Sequence, residues 1–251
     1  MSRTQLQAWL DATLRPDEFK DYCPNGLQVQ GAEQIKHLVM GVTASLRFLQ
    51  AAAAAGADAV LVHHGWFWRG EDPCLVGLKH QRLEALMTAQ INLFAYHLPL
   101  DAHPDHGNNV QLARQLGWPV HGRAGPGDLV FYADLEKPIN PDQLKRLLSK
   151  RLDQKPLLVG DTESKGRSLS RMAWCTGGAQ DYIDTAIDLG ADVFISGEIS
   201  ERTTHTAREA GLIYAAAGHH ATERFGVQAL GQAAADELGL TCEFIDDPNP
   251  A

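Results

Sequence analysis

Two adjacent histidines end an apolar run, Val60-Leu61-Val62-His63-His64-Gly65, and a second donor pair, His219-x-x-x-Glu223, lies far downstream. With His97-x-x-x-Asp101 they supply imidazole and carboxylate ligands, the donor set that divalent first-row metals prefer. Neighbouring residues on an extended strand point to opposite faces, so His63 and His64 at a strand end suit two ions, one each. His219 and Glu223 stand at i and i+4, which on a helix puts both on one face a turn apart. The donors His63, His64, Asp101, His219 and Glu223 are too few for two closed sites, and suit a dinuclear centre with one bridging carboxylate. His97 reads either as a ligand or as a residue that orients Asp101 or a water. His205, on a helix after Ser196-Gly197-Glu198, is a second candidate for proton transfer beside His97.

These donors sit at the ends of predicted strands, where open α/β sheets build their sites. Leu6, Leu10 and Leu14 recur at helical spacing in a first helix, which the turn residues Asp21 to Gly26 follow. A strand over 37–42, a helix over 45–55 and a strand over 59–62 make a βαβ unit. A helix over 79–89, a strand over 91–96 and a helix over 108–116 continue it. The chain then restarts. Gly56-Ala57-Asp58-Ala59-Val60 has a twin at Gly190-Ala191-Asp192-Val193-Phe194, positions 56 and 190 being offset by 134, and His97-x-x-x-Asp101 is matched by His219-x-x-x-Glu223 at an offset of 122. The expected architecture is α/β: two intertwined, duplicated α/β repeats with mixed sheets and a metal site in the cleft between them. Residues 1–121 plus 212–251 would form the metal-binding domain and 122–211 a second lobe, with a strand over 128–135, a helix over 141–152 and an exposed, mobile loop over 163–168. Where the first copy has His63-His64 the second has Gly197-Glu198, so one copy alone carries the histidine pair.

Composition bounds the function. The 251 residues, 44% hydrophobic, are enough to bury a real core. No apolar stretch reaches the ~20 residues a bilayer span needs, and the amino end has no signal-peptide core, so a cytoplasmic protein is expected. Cys23, Cys74, Cys175 and Cys242 form no C-x-x-C pair and read as reduced thiols. A formal net charge of −9 argues against nucleic acid as the main partner. Trp66-Phe67-Trp68-Arg69 reads two ways: as a stacking surface for a flat heterocycle with Arg69 for a phosphate, or as packing at a subunit interface.

Several motifs in fixed order carry a resemblance: Asp21-Tyr22-Cys23-Pro24-Asn25-Gly26-Leu27, Gly41-Val42-Thr43-Ala44-Ser45, His63-His64-Gly65, His97-Leu98-Pro99-Leu100-Asp101-Ala102-His103, Gly107-Asn108-Asn109 and Gly218-His219-His220-Ala221-Thr222-Glu223. From about Leu6 to the end, the chain resembles the GTP cyclohydrolase I type 2 homologue family. The resemblance implies two divalent metal ions per chain held by His63, His64, Asp101, His219 and Glu223, with Glu223 as the bridge, and a toroidal homohexamer. Iron, zinc, manganese and nickel all suit the ligands. It implies a metal-dependent hydrolase of a small anionic, nucleotide-like substrate. The alternatives are a metal storage or insertion protein that catalyses nothing, and a scaffold whose metal is structural.

Overall fold

The computed structural model describes residues 1–160 and 167–251, so the loop expected over 163–168 falls outside the described residues at 163–166. The chain divides into two compact units, 1–107 with 226–247 and 108–225 with 248–251.

The first unit opens with α1 (Arg3–Leu14), started by a capping box between Ser2 and Gln5 and burying Leu6, Leu10 and Leu14. Its sheet takes β1 (Gly26–Val29), β2 (His37–Thr43), β3 (Ala59–His64), β4 (Asn92–Ala95) and β11 (Thr241–Phe244), in the order β1-β4-β3-β2-β11. All neighbours run parallel except β1, which is antiparallel to β4. Parallel strands need crossovers. These are α2 (Leu46–Ala54), capped by the Ser45 hydroxyl on the Phe48 N–H, and α3 (Leu78–Ala89); α4 (Leu98–Ala102) follows β4. Gly41 lets α2 lie close, since a Cβ there would come within 2.3 Å of the Phe48 ring.

The second unit carries α5 (Asn108–Leu116), α6 (Pro141–Leu152), α7 (Ile183–Asp188) and α8 (Glu201–Glu209). Its sheet runs β5 (Gly122–Ala124), β6 (Val130–Ile139), β8 (Leu169–Trp174), β9 (Val193–Ser196), β10 (Ile213–Ala216), β7 (Leu157–Val159) in that spatial order. The central β8, β9 and β10 are parallel, flanked by antiparallel β6 and β7. The final helix, α9 (His219–Leu238), begins in this unit, and its residues from Gly226 on belong to the first. The cores change over away from the expected boundaries at 121/122 and 211/212. Val110, Leu112 and Leu116 of α5 and Ala221 of α9 share a core with Leu144, Leu148 and Trp174, whereas Val227, Leu230 and Ala234 share one with Leu6 and Leu10.

The copies are structural repeats. Asp58 Oδ2 accepts the backbone N–H groups of Lys36 and His37, and Asp192 Oδ2 accepts those of Ser170 and Arg171. Each aspartate thereby ties its strand to the start of the preceding one. The helix before each clamp ends through a glycine of positive φ, Gly56 and Gly190, as left-handed helix termini favour. One expected correspondence is corrected by a residue. The Tyr96 N–H bonds Val62 O as the Ala217 N–H bonds Ser196 O, so Tyr96 answers to Ala217 and His97 to Gly218. The two H-x-x-x-acid motifs are out of register because the second connection is a residue shorter than the similarity implied. Among the described residues no helix is long and apolar enough to cross a membrane.

Candidate functional site

In the first unit, β3 ends on the histidine pair and β4 leads directly into His97 and α4. His63 is fully buried, and its Nδ1 lies 3.0 Å from Tyr96 O. A carbonyl only accepts, so Nδ1 carries a proton, and Nε2 lies 3.5 Å from Asp101 Oδ1. Asp101, buried on α4, is thus brought to His63 as the sequence led one to expect. His64 is half-buried, with Nδ1 3.1 Å from the Thr43 hydroxyl. The rings of His63 and His64 stand 4.5 Å apart and those of His63 and His97 5.0 Å apart. His63, His64 and His97 offer nitrogens that all lie within 4.8 Å of one another.

His97 is held by a residue read from sequence only as part of a turn. Asp21 Oδ1 is 2.9 Å from His97 Nδ1, while Oδ2 accepts from Asn25 Nδ2 and from the Leu98 N–H at the start of α4. Asn25 Oδ1 accepts the His97 N–H. Burial pushes the Asp21 carboxyl up, but the hydrogen bonds from His97 and Asn25 and the nearby imidazole charge outweigh it and hold it well below the usual carboxylate range. Cys23 joins Asp21 and His97 in a second donor group. Burial, then the Asp21 charge, pushes its thiol up to about 12, which keeps it protonated and a poor ligand.

In the second unit, the first turn of α9 presents His219 and Glu223, their Nε2 and Oε2 3.1 Å apart. Glu198, the residue standing where the first copy has His64, puts Oε1 2.7 Å from His219 Nδ1. The loss of a nitrogen donor in the second copy is therefore the gain of a carboxylate tether. Burial lowers the His219 pKa, but the hydrogen bond and charge of Glu223 and those of Glu198 outweigh it and raise it to about 9. Glycines make the room. A Cβ on Gly177 would meet Glu223 Oε1 at 2.0 Å, and one on Gly197 would meet the His219 Cα at 2.5 Å. Gly177 and Gly197 are thus the clearance that Glu223 and His219 require.

The remaining histidines sort by environment. His205 is exposed on α8 and belongs to none of the donor groups among the described residues. His103 and His106 are half-buried and stacked at 5.0 Å; His103 Nδ1 accepts the N–H groups of Asp105 and His106. His37 sits 3.2 Å from Glu243, and His121 Nδ1 accepts the Asp134 N–H. The four cysteines are free thiols. Of the aromatic run, Trp66 is core: its Nε1 donates to Ala44 O. Trp68 goes to the histidines, 5.1 Å from His97 and 6.1 Å from His64 between ring centroids.

Comparison with known proteins identifies the family. A family model described as Duf34/NIF3 (NGG1p interacting factor 3) matches residues 1–250. A Pseudomonas aeruginosa protein named GTP cyclohydrolase 1 type 2 homolog is 52% identical over 250 residues, covering 98% of this chain and 96% of the relative. A protein of the same name from Escherichia coli (strain K12) is 49% identical and covers 100% of both chains. The solved structure of protein ybgI, of unknown function, superposes with a TM-score of 0.95 at 49% identity over 100% of both chains, and one from Thermus thermophilus with 0.85 at 33% identity over 100% of both.

Proposed function

The chain belongs to the Duf34/NIF3 family, and from that membership and its strand-end donors we propose that it binds two divalent metal ions and hydrolyses a small anionic, nucleotide-like substrate. The proposed ligands are His63, His64, Asp101, His219 and Glu223. One observation carries the reading: each of the three proposed histidine ligands engages a protein oxygen through Nδ1, namely Tyr96 O, the Thr43 hydroxyl and Glu198. That is how metal-ligating imidazoles are oriented, with Nε2 left to the ion. The donor chemistry fits. His219 Nε2 and Glu223 Oε2 lie 3.1 Å apart, two ligand atoms turned to one place.

Divalent ions held by such ligands supply Lewis acidity and make water ionise near neutral pH. The protein's own part is orientation and proton handling. Tyr96 O and Glu198 hold the rings of His63 and His219 through Nδ1. His97, gripped by Asp21, is the group proposed to take up or release a proton at Nε2. His205, exposed on α8, has no comparable tether.

The test is metal content followed by turnover. Purified protein loaded in turn with zinc, manganese, iron and nickel should hold two ions per chain and release product from GTP or from a panel of nucleotides and phosphoesters. Protein that holds two ions, turns over nothing and hands them rapidly to an apo-acceptor would replace hydrolysis with metal delivery. Protein that binds none would overturn both. The toroidal homohexamer implied by the resemblance is proposed alongside; exposed Leu75, Val76 and Leu78 provide apolar surface for self-association. Light scattering should give a six-chain mass, and a monomer would refute it.

A further inference from the structure

Trp68 is placed by a set of restraints that its own burial does not explain. Gln28 Oε1 accepts the Trp66 N–H at 2.7 Å, and Gln28 Nε2 donates to Trp66 O. The Arg69 N–H donates to Tyr22 O at 2.7 Å, and its guanidinium to Asp21 O at 3.0 Å. Between these ties Phe67 takes φ 65, a left-handed conformation disfavoured for a bulky side chain and found where the surroundings enforce it. Phe67 is itself 39% exposed, so the strain does not serve to bury it. What the segment achieves is the position of its neighbour. The Trp68 indole meets the His97 ring nearly at right angles, with centroids 5.1 Å apart, and lies 6.0 Å from Tyr22 at a 34° tilt. Tyr22 in turn stands 5.1 Å from His97 and is 49% exposed.

Two large aromatic side chains, one half-buried and one exposed, therefore border the imidazoles, and the loop bearing one also carries an exposed guanidinium. Aromatic faces beside a cationic group suit a flat π-system that carries negative charge. We propose that Trp68 and Tyr22 form a stacking wall that binds the ring of a flat heteroaromatic ligand, whose anionic group is met by Arg69 and the bound metal ions. The inference rests on the metal-binding reading above. Stacking tolerates any base and favours the larger ring, so purines should outrank pyrimidines without strict discrimination among purines.

The experiment uses metal-loaded protein, with GMP, CMP and ribose 5-phosphate as probes and calorimetry plus tryptophan fluorescence as readouts. GMP should bind most tightly and quench fluorescence, CMP should bind more weakly, and ribose 5-phosphate should be about ten- to hundredfold weaker than GMP, the span that base stacking supplies. Trp68→Leu, which keeps apolar bulk, should remove that preference, Trp68→Phe should retain most of it, and Tyr22→Leu, at an exposed position, should reduce it without affecting the fold. Metal stoichiometry should be unchanged in all three. GMP and ribose 5-phosphate binding alike, a Trp68→Leu and Tyr22→Leu pair with wild-type preference, or no binding of any probe to fully loaded protein would overturn the wall. Loss of metal in the wild type would instead refute the reading beneath it.

Discussion

At the residue scale, His64 and Glu198 hold equivalent positions in the two copies, one as a nitrogen donor and the other as the carboxylate on His219 Nδ1. Removing a carboxylate that orients a metal-binding imidazole typically weakens the metal about 10- to 100-fold. Glu198→Gln should do so by competition against a chromogenic chelator, with unchanged far-ultraviolet dichroism; unaltered affinity would deny it that role. Glu223→Ala should cost both ions if the carboxylate bridges, and one if it is a terminal ligand, as metal analysis per chain would read directly. The His219 pKa, raised from 6.5 to about 9, makes a prediction for the metal-free protein. A folded value above the unfolded one means that the interaction stabilises fully below pH about 6.5 and is lost as pH rises through about 9. Melting temperatures of metal-free wild type and His219→Ala should thus differ most near pH 6 and converge by pH 10. A gap that does not change with pH would disprove the assignment.

At the element scale, the aspartate clamps are the features to test. Asp58→Ala and Asp192→Ala each strip the partner from two strand-end N–H groups, and each should cost about 1–3 kcal/mol in denaturant unfolding. Gly177→Ala combines φ 70 with a Cβ 2.0 Å from Glu223 Oε1, so it should destabilise by about 1–3 kcal/mol and also weaken metal. A stable variant with normal metal content would show that Glu223 is free to move. The helices α1, α2, α3, α5 and α6 and the strands β2, β3 and β4 were legible because their signals are local: Ser45 before α2, Asn140 and Pro141 opening α6, and the apolar run at β3. The edge strands β1, β5 and β7 were not, since three or four residues against an antiparallel neighbour leave no periodicity to read. The donors themselves were legible from residue type and spacing. Their tethers were not: Asp21 to His97 spans 76 positions and Glu198 to His219 spans 21, and nothing local to Asp21 or Glu198 announces the partner.

At the scale of the whole molecule, stability resides in apolar cores rather than in the donor groups. Side chains such as Trp174, Phe131, Phe94 and Phe48 are fully buried, each contributing about 1.5–3 kcal/mol by leaving water. Chelator-treated protein should therefore keep its far-ultraviolet dichroism and its cooperative melt, as a small zinc finger would not. Collapse of the signal on chelation would move the metal from chemistry to architecture and favour the scaffold. The repeat has a consequence for how such a chain can be interrogated. Laid over itself at an offset of 134, the sequence is a two-row comparison in which Gly56-Ala57-Asp58 and Gly190-Ala191-Asp192 coincide and His63-His64 and Gly197-Glu198 diverge. Rows that share one backbone but not one duty separate what a fold demands from what a reaction demands. The molecule is in that sense its own control: transplanting His-His onto 197–198 would ask, within a single polypeptide, whether the residues just past β9 have room for the chemistry that ends β3, and the clash awaiting any Cβ at Gly197 says that they do not.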